Sequence, residues 1–459
     1  MTLATGIPKA AVIPKQGRRV GKRPGKTVPD WTLSYLGKKQ VSEILATRPS
    51  EIITLWRGGS GDEPKTANRL FFGDNLPILA ELMEDHEVRG KIRLVYIDPP
   101  FATQSAFHTR SQSHAYEDLL VGAHYVEALR QRLIFLRELL SPDGSIYLHL
   151  DQKMAFPLKI IMDEVFGVDT FRNWITRKKC NPKNYTSRAY GNVSDFVLFY
   201  TKSGRYVWNR PFREWTPERA AKEYQYVEQS SGRRFKKVPV HAPGTRNGET
   251  GKPWRGVKPP PGKHWQFSPQ TLDEMDARGE IYWSSSGNPR RKVYLDESSG
   301  VPIQDIWTEF RDAHNQNIKI TGYPTEKNPD LLARIIQASS NPGDLVLDCF
   351  CGSGTTLAMA SQLGRKWIGI DSSPQAIGTV LRRFATGLKP MGDFVSKRHS
   401  AGEANQTWAT APLFEPAVIE EGHSRHGLSK AKIRDFSLCA SRPYGGELDQ
   451  YLREWMQIL

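Results

Sequence analysis

The chain has 459 residues, of which 38% are hydrophobic and 25% charged, a composition typical of an ordinary globular protein with two or three domains. It contains no run of eighteen apolar residues and no signal-peptide pattern, so we expect a cytoplasmic protein, neither inserted in a membrane nor secreted. The net charge of +15 indicates a polyanionic partner.

The positive charge is concentrated in two places. Residues 176–265 contain 20 Lys and Arg against 6 Asp and Glu, and residues 1–30 contain 7 basic side chains against Asp30 alone. Concentrated cations are what neutralisation of nucleic-acid phosphates requires, so we expect a nucleic acid as a partner. Residues 1–30 are also rich in Pro and Gly and are predicted to be a disordered basic tail.

The first convincing strand runs from Asn68 to Phe72 and meets a Gly-Asp turn. A helix follows, with Leu76, Leu79 and Leu82 at helical spacing. Asp74 either caps this helix or points into a ligand cleft, and the sequence leaves both interpretations open.

The strand Leu94–Ile97 is followed by Asp98-Pro99-Pro100-Phe101. Ligands of open α/β sheets bind beyond the carboxyl ends of such strands. The prolines stiffen the loop and present carbonyl acceptors, Asp98 adds a stronger acceptor, and Phe101 adds a flat apolar face. This group suits a planar ring with an exocyclic amine, although a bare D-P-P more often marks a simple turn.

Strands and helices alternate up to residue 200, which predicts a doubly wound α/β sheet. A long helix around Tyr125–Leu139 precedes the turn Ser141-Pro142-Asp143-Gly144, and a strand is predicted to begin at Ser145. We assign residues 31–200 to one half of this domain.

From residue 201 to residue 302 the regular pattern gives way to aromatic and basic pieces broken by Pro and Gly. We interpret this segment as an inserted domain with loops and short strands. Its tryptophans, Trp208 among them, could stack on bases or form a small core, and the regional charge favours contact between the domain as a whole and nucleic acid.

Regular structure returns over residues 303–395. The strand Asp344–Asp348 leads into a loop containing Gly352 and Gly354, a helix follows, and the next strand ends in Asp371. This order is typical of a nucleoside-binding βαβ unit, in which Asp371 would accept the hydroxyl groups of a ribose. A dinucleotide also fits the spacing, but Asp348 is a poor neighbour for pyrophosphate and a good one for a cationic methionyl group, which favours S-adenosyl-L-methionine.

These motifs together resemble the site-specific DNA amino-methyltransferases of bacteria. The resemblance is carried by Tyr96–Phe101, by the stretch from Tyr116-Glu117-Asp118 through Leu140–Asp151, and by Asp348–Thr356. It covers roughly residues 68–200 and 302–380. Because the catalytic motif precedes the cofactor motif, the order resembles the beta class, which includes the modification subunits of type III restriction systems. In that class the insert is the target-recognition domain.

The resemblance implies an S-adenosylmethionine-dependent methyltransferase sheet with permuted motif order, and it implies two sets of site residues. The implied catalytic residues are Asp98, Pro99, Pro100 and Phe101. The implied cofactor-binding residues are Asp74, Thr325, Lys327, Asp348, Phe350, Gly352, Gly354, Thr355, Thr356 and Asp371. Where the family commonly has His-Pro-Thr-Gln-Lys-Pro and Asp-Pro-Phe, this chain has Tyr323–Asn328 and Asp348-Cys349-Phe350, which leaves individual cofactor contacts open.

We therefore expect transfer of a methyl group to the N6 amine of a flipped adenine. The nearest alternative is N4 methylation of cytosine in the same double-stranded DNA, since the geometry of the amine is nearly identical, although members acting on cytosine more often carry Ser in place of Asp98. A DNA-binding protein with an inactive site is the other alternative. Cytosine-C5 methylation requires a nucleophilic cysteine, and the chain has no Pro-Cys pair. The four cysteines match no zinc spacing and indicate a reducing compartment, so we expect no metal. A homodimer, a partner restriction subunit, the target sequence and the role of residues 396–459 are left open.

Overall fold

The structure is a computed structural model that describes residues 32–58, 68–100, 106–108, 114–117, 122–180, 188, 190–310, 326–386, 433, 435–442 and 448–459. The predicted basic tail, the ring of Phe101 and the side chain of Thr325 lie outside these residues. In the described part of the chain, no helix has both the length and the apolar character needed to cross a membrane.

The strands are described first, in chain order. They are β1 Ile52–Arg57, β2 Arg69–Phe72, β3 Ile92–Ile97, β4 Ala106–His108, β5 His114–Glu117, β6 Leu140–Leu150, β7 Phe171–Lys178, β8 Ser194–Thr201, β9 Phe212–Arg213, β10 Tyr226–Val227, β11 Arg234–Pro239, β12 His241–Pro243, β13 Lys263–Trp265, β14 Ile281–Trp283, β15 Pro289–Tyr294, β16 Val301–Pro302, β17 Ile306–Trp307, β18 Leu345–Asp348, β19 Lys366–Asp371 and β20 Ser437–Ser441.

The helices follow the same order. They are α1 Val41–Leu45, α2 Asn75–Glu84, α3 Ala123–Leu139, α4 Ala155–Phe166, α5 Pro217–Glu223, α6 Pro269–Ala277, α7 Pro329–Ser339, α8 Thr355–Gln362, α9 Pro374–Thr386 and α10 Leu448–Ile458, with 3₁₀ turns at Val168–Thr170 and Glu249–Gly251.

One large mixed sheet organises the main unit, which comprises residues 1–207 and 306–459. Its strand order in the described residues is β1-β20-β2-β19-β18-β3-β6-β8-β7-β17. The central strands β2, β19, β18, β3 and β6 pair in parallel, whereas β8 runs antiparallel to both β6 and β7. The predicted α/β sheet is therefore present, and it brings the ends of β3 and β18 side by side although they are about 250 residues apart in the chain.

Helices cover both faces of this sheet. Ile146 and Leu148 of β6 belong to an apolar cluster with residues of α2, α3 and α4. The hydroxyl of Tyr147, between them, lies 2.7 Å from that of Ser339 in α7. Because successive side chains of a strand point to opposite faces, α7 covers the face opposite to α2, α3 and α4.

The start of β6 differs from the prediction. We expected a turn at residues 141–144 and a strand from Ser145, but the strand begins at Leu140, directly after α3. The pairing of β6 with β3 shifts between Leu140 and Ser145, so the predicted turn residues take up a bulge. Gly144 fits there because a Cβ atom would lie 2.9 Å from the carbonyl oxygen of Ile92.

The far edge of the sheet is built from segments in which we had predicted no strand. β20 lies between β1 and β2, antiparallel to the first and parallel to the second. Helix α10 follows it, and Trp455 packs edge-on against Phe72 at 5.5 Å. Residues of the C-terminal segment thus complete the sheet.

The inserted unit comprises Trp208–Asp305. It contains a four-stranded sheet in the order β10-β11-β15-β14 and an apolar cluster around Trp254 and Trp265. We had found no helix of useful length in this segment, yet α5 and α6 are present. Both begin with a capping hydroxyl, from Thr216 and Ser268, followed by proline, a start signal that the sequence does carry.

Candidate functional site

A cavity of about 480 Å³ opens where β3, β18 and β19 end. Most of its lining comes from the residues that follow these three strands, and Asp74, Arg132, Glu326 and Lys327 contribute from elsewhere in the main unit. Parallel strands place their carboxyl ends at one edge of a sheet, which is why these distant segments meet here.

Asp98 lines this cavity, and its two carboxylate oxygens have different surroundings. Its Oδ2 lies 2.7 Å from Nζ of Lys327. Its Oδ1 is buried and accepts no hydrogen bond from any described residue. A buried acceptor without a partner costs free energy, on the order of 1–3 kcal/mol, so this oxygen is suited to a donor supplied by a ligand.

Pro99 and Pro100 line the same cavity. Neither has an N–H group, so the loop offers carbonyl oxygens to a ligand without adding donors. Stacking by Phe101 stays a prediction.

A buried polar network lies behind Asp98, and the sequence analysis missed it. His149 is fully buried in β6, and its Nδ1 lies 2.8 Å from the hydroxyl of Tyr96 and 3.9 Å from Oδ1 of Asp98. Its Nε2 lies 3.0 Å from Oδ2 of Asp195, which also accepts a hydrogen bond of 2.8 Å from Arg177. Polar residues within the apolar runs of β3, β6 and β8 were the available signal.

The protonation pattern of this network follows from its burial. Burial, with the charge of Asp98 next, raises the pKa of Tyr96 well above its usual value, so the phenol keeps its proton. Burial alone would raise the pKa of Asp195, but the charges of His149, Arg177 and Lys327 outweigh it and lower that pKa.

Asp348 organises the loop between β18 and α8. Its Oδ1 accepts the N–H of Phe350 at 3.0 Å, and its Oδ2 accepts the hydroxyl of Thr356 at 2.6 Å. The side chain is almost fully buried, and this burial raises its pKa to about 7, with Asp98 and Asp371 adding to the effect against the two hydrogen bonds. A carboxylate in this state gains from any cation that a ligand brings nearby.

Asp371 occupies the end of β19 on the same cavity wall. Its Oδ2 accepts the N–H of Gly352 at 2.8 Å, and its Oδ1 accepts the N–H of Ser373 at 2.9 Å. Burial raises the pKa of this carboxyl group. Each carboxylate oxygen can accept more than one hydrogen bond, so Asp371 retains capacity for two hydroxyl groups of a ligand.

The two glycines of the loop have different surroundings. Gly352 lines the cavity, whereas Gly354 lies outside its lining. Gly354 has φ of +72°, and a Cβ atom there would lie 2.8 Å from Val380 of α9. The structure therefore places Gly354 at a close contact between helices and gives it no direct access to a ligand.

Two neighbouring residues connect the two sides of the site. Lys327 pairs with Asp98, and Glu326 forms a buried ion pair with Arg383 of α9. Arg383 also donates to the hydroxyl of Thr355 at 2.8 Å. Lys327, which was predicted to bind the cofactor, thus contacts the carboxylate of Asp98, and Glu326 contacts the arginine that donates to Thr355 at the start of α8.

Asp74 satisfies both interpretations left open by the sequence. Its Oδ1 accepts the N–H of Leu76 and so caps α2, and it also lies 2.9 Å from Arg132 while lining the cavity. Asn75 was not predicted. It donates to the carbonyl oxygen of Cys349 at 2.6 Å and ties α2 to the loop after β18.

The predicted residues within the described chain thus fall into two groups at one cavity. Asp98, Pro99 and Pro100 form one wall, with a free acceptor. The other wall carries Phe350, Gly352, Thr355, Thr356 and two buried carboxylates. Acceptors for hydroxyl groups and for a cation fit the ribose and the methionyl group of S-adenosylmethionine.

Comparison with known proteins identifies the family. A family model described as "DNA methylase", for N6 and N4 methylation, matches residues 92–381. The type II methyltransferase M.EcaI of Enterobacter cloacae is 49% identical over 369 residues, which cover 80% of each chain. The StyLTI Mod subunit, a type III restriction-modification enzyme of Salmonella typhimurium, is 27% identical over 71% of this chain and 54% of its own.

Among solved structures, that of the M1.HpyAVI–SAM complex is similar with a TM-score of 0.38 and 16% identity, covering 69% of this chain and 98% of the other. The match of the family model over more than half of the chain, together with the relative at 49% identity, establishes the membership. The chain belongs to the N6/N4 DNA methylase family, which uses S-adenosyl-L-methionine as methyl donor.

Proposed function

We propose that this DNA methyltransferase is site-specific and transfers the methyl group to the N6 amine of adenine. The observation that carries the proposal is the position of Asp98 in the lining of the cavity, with an Oδ1 that accepts no hydrogen bond from any described residue. A carboxylate oxygen only accepts hydrogen bonds, and an exocyclic amine is a ligand with two hydrogens to donate.

The wall formed by Asp98 and Pro99 holds the amine. One amine hydrogen bonds to the carboxylate of Asp98 and the other to the carbonyl oxygen of Pro99, which favours a pyramidal nitrogen with its lone pair directed across the cavity. Lys327, which lies 2.7 Å from Oδ2, restrains this carboxylate. Holding the reacting groups in line can supply about 7–11 kcal/mol of the barrier reduction.

The opposite wall holds the cofactor. Asp371 accepts the ribose hydroxyl groups, and Asp348 with the N–H groups at the start of α8 contacts the methionyl part. When bound, S-adenosylmethionine supplies an electrophilic methyl group. Burial of this wall excludes water, so the nitrogen of the amine is the nucleophile at hand.

The substrate base has to leave the duplex to reach this cavity. Stacking on Phe101 would repay roughly 1–3 kcal/mol of the cost of unstacking. We infer that the inserted unit recognises the target and that the concentrated positive charge of residues 176–265 contacts the phosphates. Function within a restriction-modification system is part of the same proposal, because relatives of both type II and type III are similar to this chain.

The experiment that tests the proposal uses the purified full-length chain, methyl-labelled S-adenosylmethionine and genomic duplex DNA, followed by analysis of the nucleosides. We expect N6-methyladenine as the product. The Asp98→Ala variant should form no product while binding DNA like the wild type, and Asp98→Asn serves as the isosteric control. N4-methylcytosine as the sole product would replace adenine by cytosine in the proposal, and absence of product would indicate an inactive site.

A further inference from the structure

The sheet of the inserted unit has one covered face. Helix α6 packs on it, and Leu272 and Met275 of this helix join Ile281 of β14 in a buried apolar cluster. Asp273 and Asp276 of α6 pair with Arg255. The covered side of the sheet therefore carries acidic residues that are already paired with an arginine.

The register of the strands defines the other face. Tyr226 lies opposite Phe235, and Tyr282 lies opposite Arg290. Cross-strand partners share a face, and residues two apart on one strand do so as well, so Lys237 is on the side of Phe235. We call the group Tyr226, Lys237, Tyr282 and Arg290 the tyrosine–lysine face.

Lys237 is held between two rings on this face. Its Nζ lies 3.5 Å from the ring centroid of Tyr226 and 3.4 Å from that of Tyr282. Tyr226 is 41% exposed and Arg290 is exposed, and the four residues line an open cavity of about 680 Å³. The ammonium group is thus fixed in place but accessible, so little side-chain entropy is lost when it meets an anion.

Neither cation of the tyrosine–lysine face has a carboxylate within 4.0 Å among the described residues. The acidic side chains nearby are already engaged. Glu228 lies 2.7 Å from Lys292, and Glu223, on the rim of the cavity, lies 3.9 Å from Lys236. The face therefore presents uncompensated positive charge.

We propose that the tyrosine–lysine face binds the phosphate backbone of duplex DNA, with Lys237 and Arg290 as the contacting cations and the two tyrosines as the groups that position Lys237. The inference rests on the proposed function and adds the surface by which the inserted unit grips its substrate. An anionic ligand that runs along the sheet matches both the charge and the open shape of this face.

The test compares the affinity of the full-length wild type, Lys237→Ala, Arg290→Ala and the double variant for a labelled duplex at several salt concentrations. Removing one phosphate-binding cation should reduce the slope of log affinity against log salt by about 0.9, so the double variant should show a slope smaller by about 1.8 and bind more weakly at every concentration. Lys252→Ala is the matched control, because Lys252 is a cation of the same unit that is already paired with Glu249. Its slope should equal that of the wild type.

Arg290 is exposed, so its single variant keeps the test valid even if Lys237→Ala fails to fold. An unchanged slope for Arg290→Ala and for the double variant, in a protein that binds and methylates DNA, would overturn the inference and leave the proposed function intact. A wild type that neither binds nor methylates DNA would instead refute the proposed function itself.

Discussion

Replacing Asp348 by Asn should make the ligand-free protein more stable at neutral pH. Burial raises the pKa of this carboxyl group to about 7 from an ordinary 3.8. The folded protein therefore holds a proton there that the unfolded chain releases at lower pH, and ionising the group above pH 7 works against folding. Asn keeps the shape and can accept from the N–H of Phe350 while its amide donates to the hydroxyl of Thr356.

The sign and size of the change in stability follow from the interval between the pKa of Asp348 in the folded protein and its ordinary value. The stability that Asp348 contributes is complete below about pH 4 and is lost as the pH rises to about 7, where the loss levels off. Each pH unit between the two pKa values corresponds to about 1.4 kcal/mol of stability, so the free energy of unfolding of the variant exceeds that of the wild type by up to about 4 kcal/mol at pH 8. At roughly 2 °C per kcal/mol for a large domain, its Tm rises by up to roughly 8 °C.

The assay is thermal unfolding of wild type and Asp348→Asn between pH 5 and pH 8.5 without cofactor, with the difference in Tm plotted against pH. The difference should grow from pH 5 to about pH 7 and then stay constant. A difference that does not change with pH would mean that Asp348 ionises in the folded protein as it does in the unfolded chain, which would refute the argument from burial. Circular dichroism at each pH confirms that both proteins are folded.

Three further predictions concern the contacts around the site. Lys327→Met should slow methyl transfer roughly 10²-fold, because the carboxylate of Asp98 is then free to move. The affinity for S-adenosylmethionine, measured by calorimetry, should change little. Equal losses of rate and affinity would mean that Lys327 binds the cofactor. Arg383→Met should lower the free energy of unfolding in urea by about 3–5 kcal/mol, because it removes an ion-pair partner of the buried Glu326. Adding Glu326→Gln should recover most of that loss, whereas strictly additive losses would contradict a buried ion pair. Trp455→Ala should lower the free energy of unfolding by about 3–5 kcal/mol in the same assay, since the ring is fully buried and packs against Phe72. A loss below about 1 kcal/mol would mean that α10 is not fixed to the sheet.

The central part of the site could be predicted from the sequence because its signals are local. An apolar run that ends in an acid marks the end of a buried parallel strand, and Asp98, Asp348 and Asp371 all occupy such positions. The prediction that these three residues lie at one cavity required only the rule that parallel strands place their carboxyl ends at one edge of the sheet.

The contacts that support these residues could not be predicted in the same way. His149 of β6 contacts Asp195 of the neighbouring strand β8, and Glu326 pairs with Arg383, which lies 57 residues later in the chain. These contacts therefore depend on the strand order and on helix packing. A polar residue in an apolar run signals a buried network but does not identify its members. Likewise, β1 and β20 are short strands whose pairing across 385 positions has no local signature.

The position of β20 has a consequence for how the protein forms in the cell. Because β20 lies between β1 and β2, both of these early strands keep a free edge until residue 441 has left the ribosome. Pairing over so long a separation is slow, and exposed strand edges in a partly made chain favour aggregation. The large sheet therefore closes only after β20 has been made, and its formation depends on a segment none of whose described residues lines the cavity.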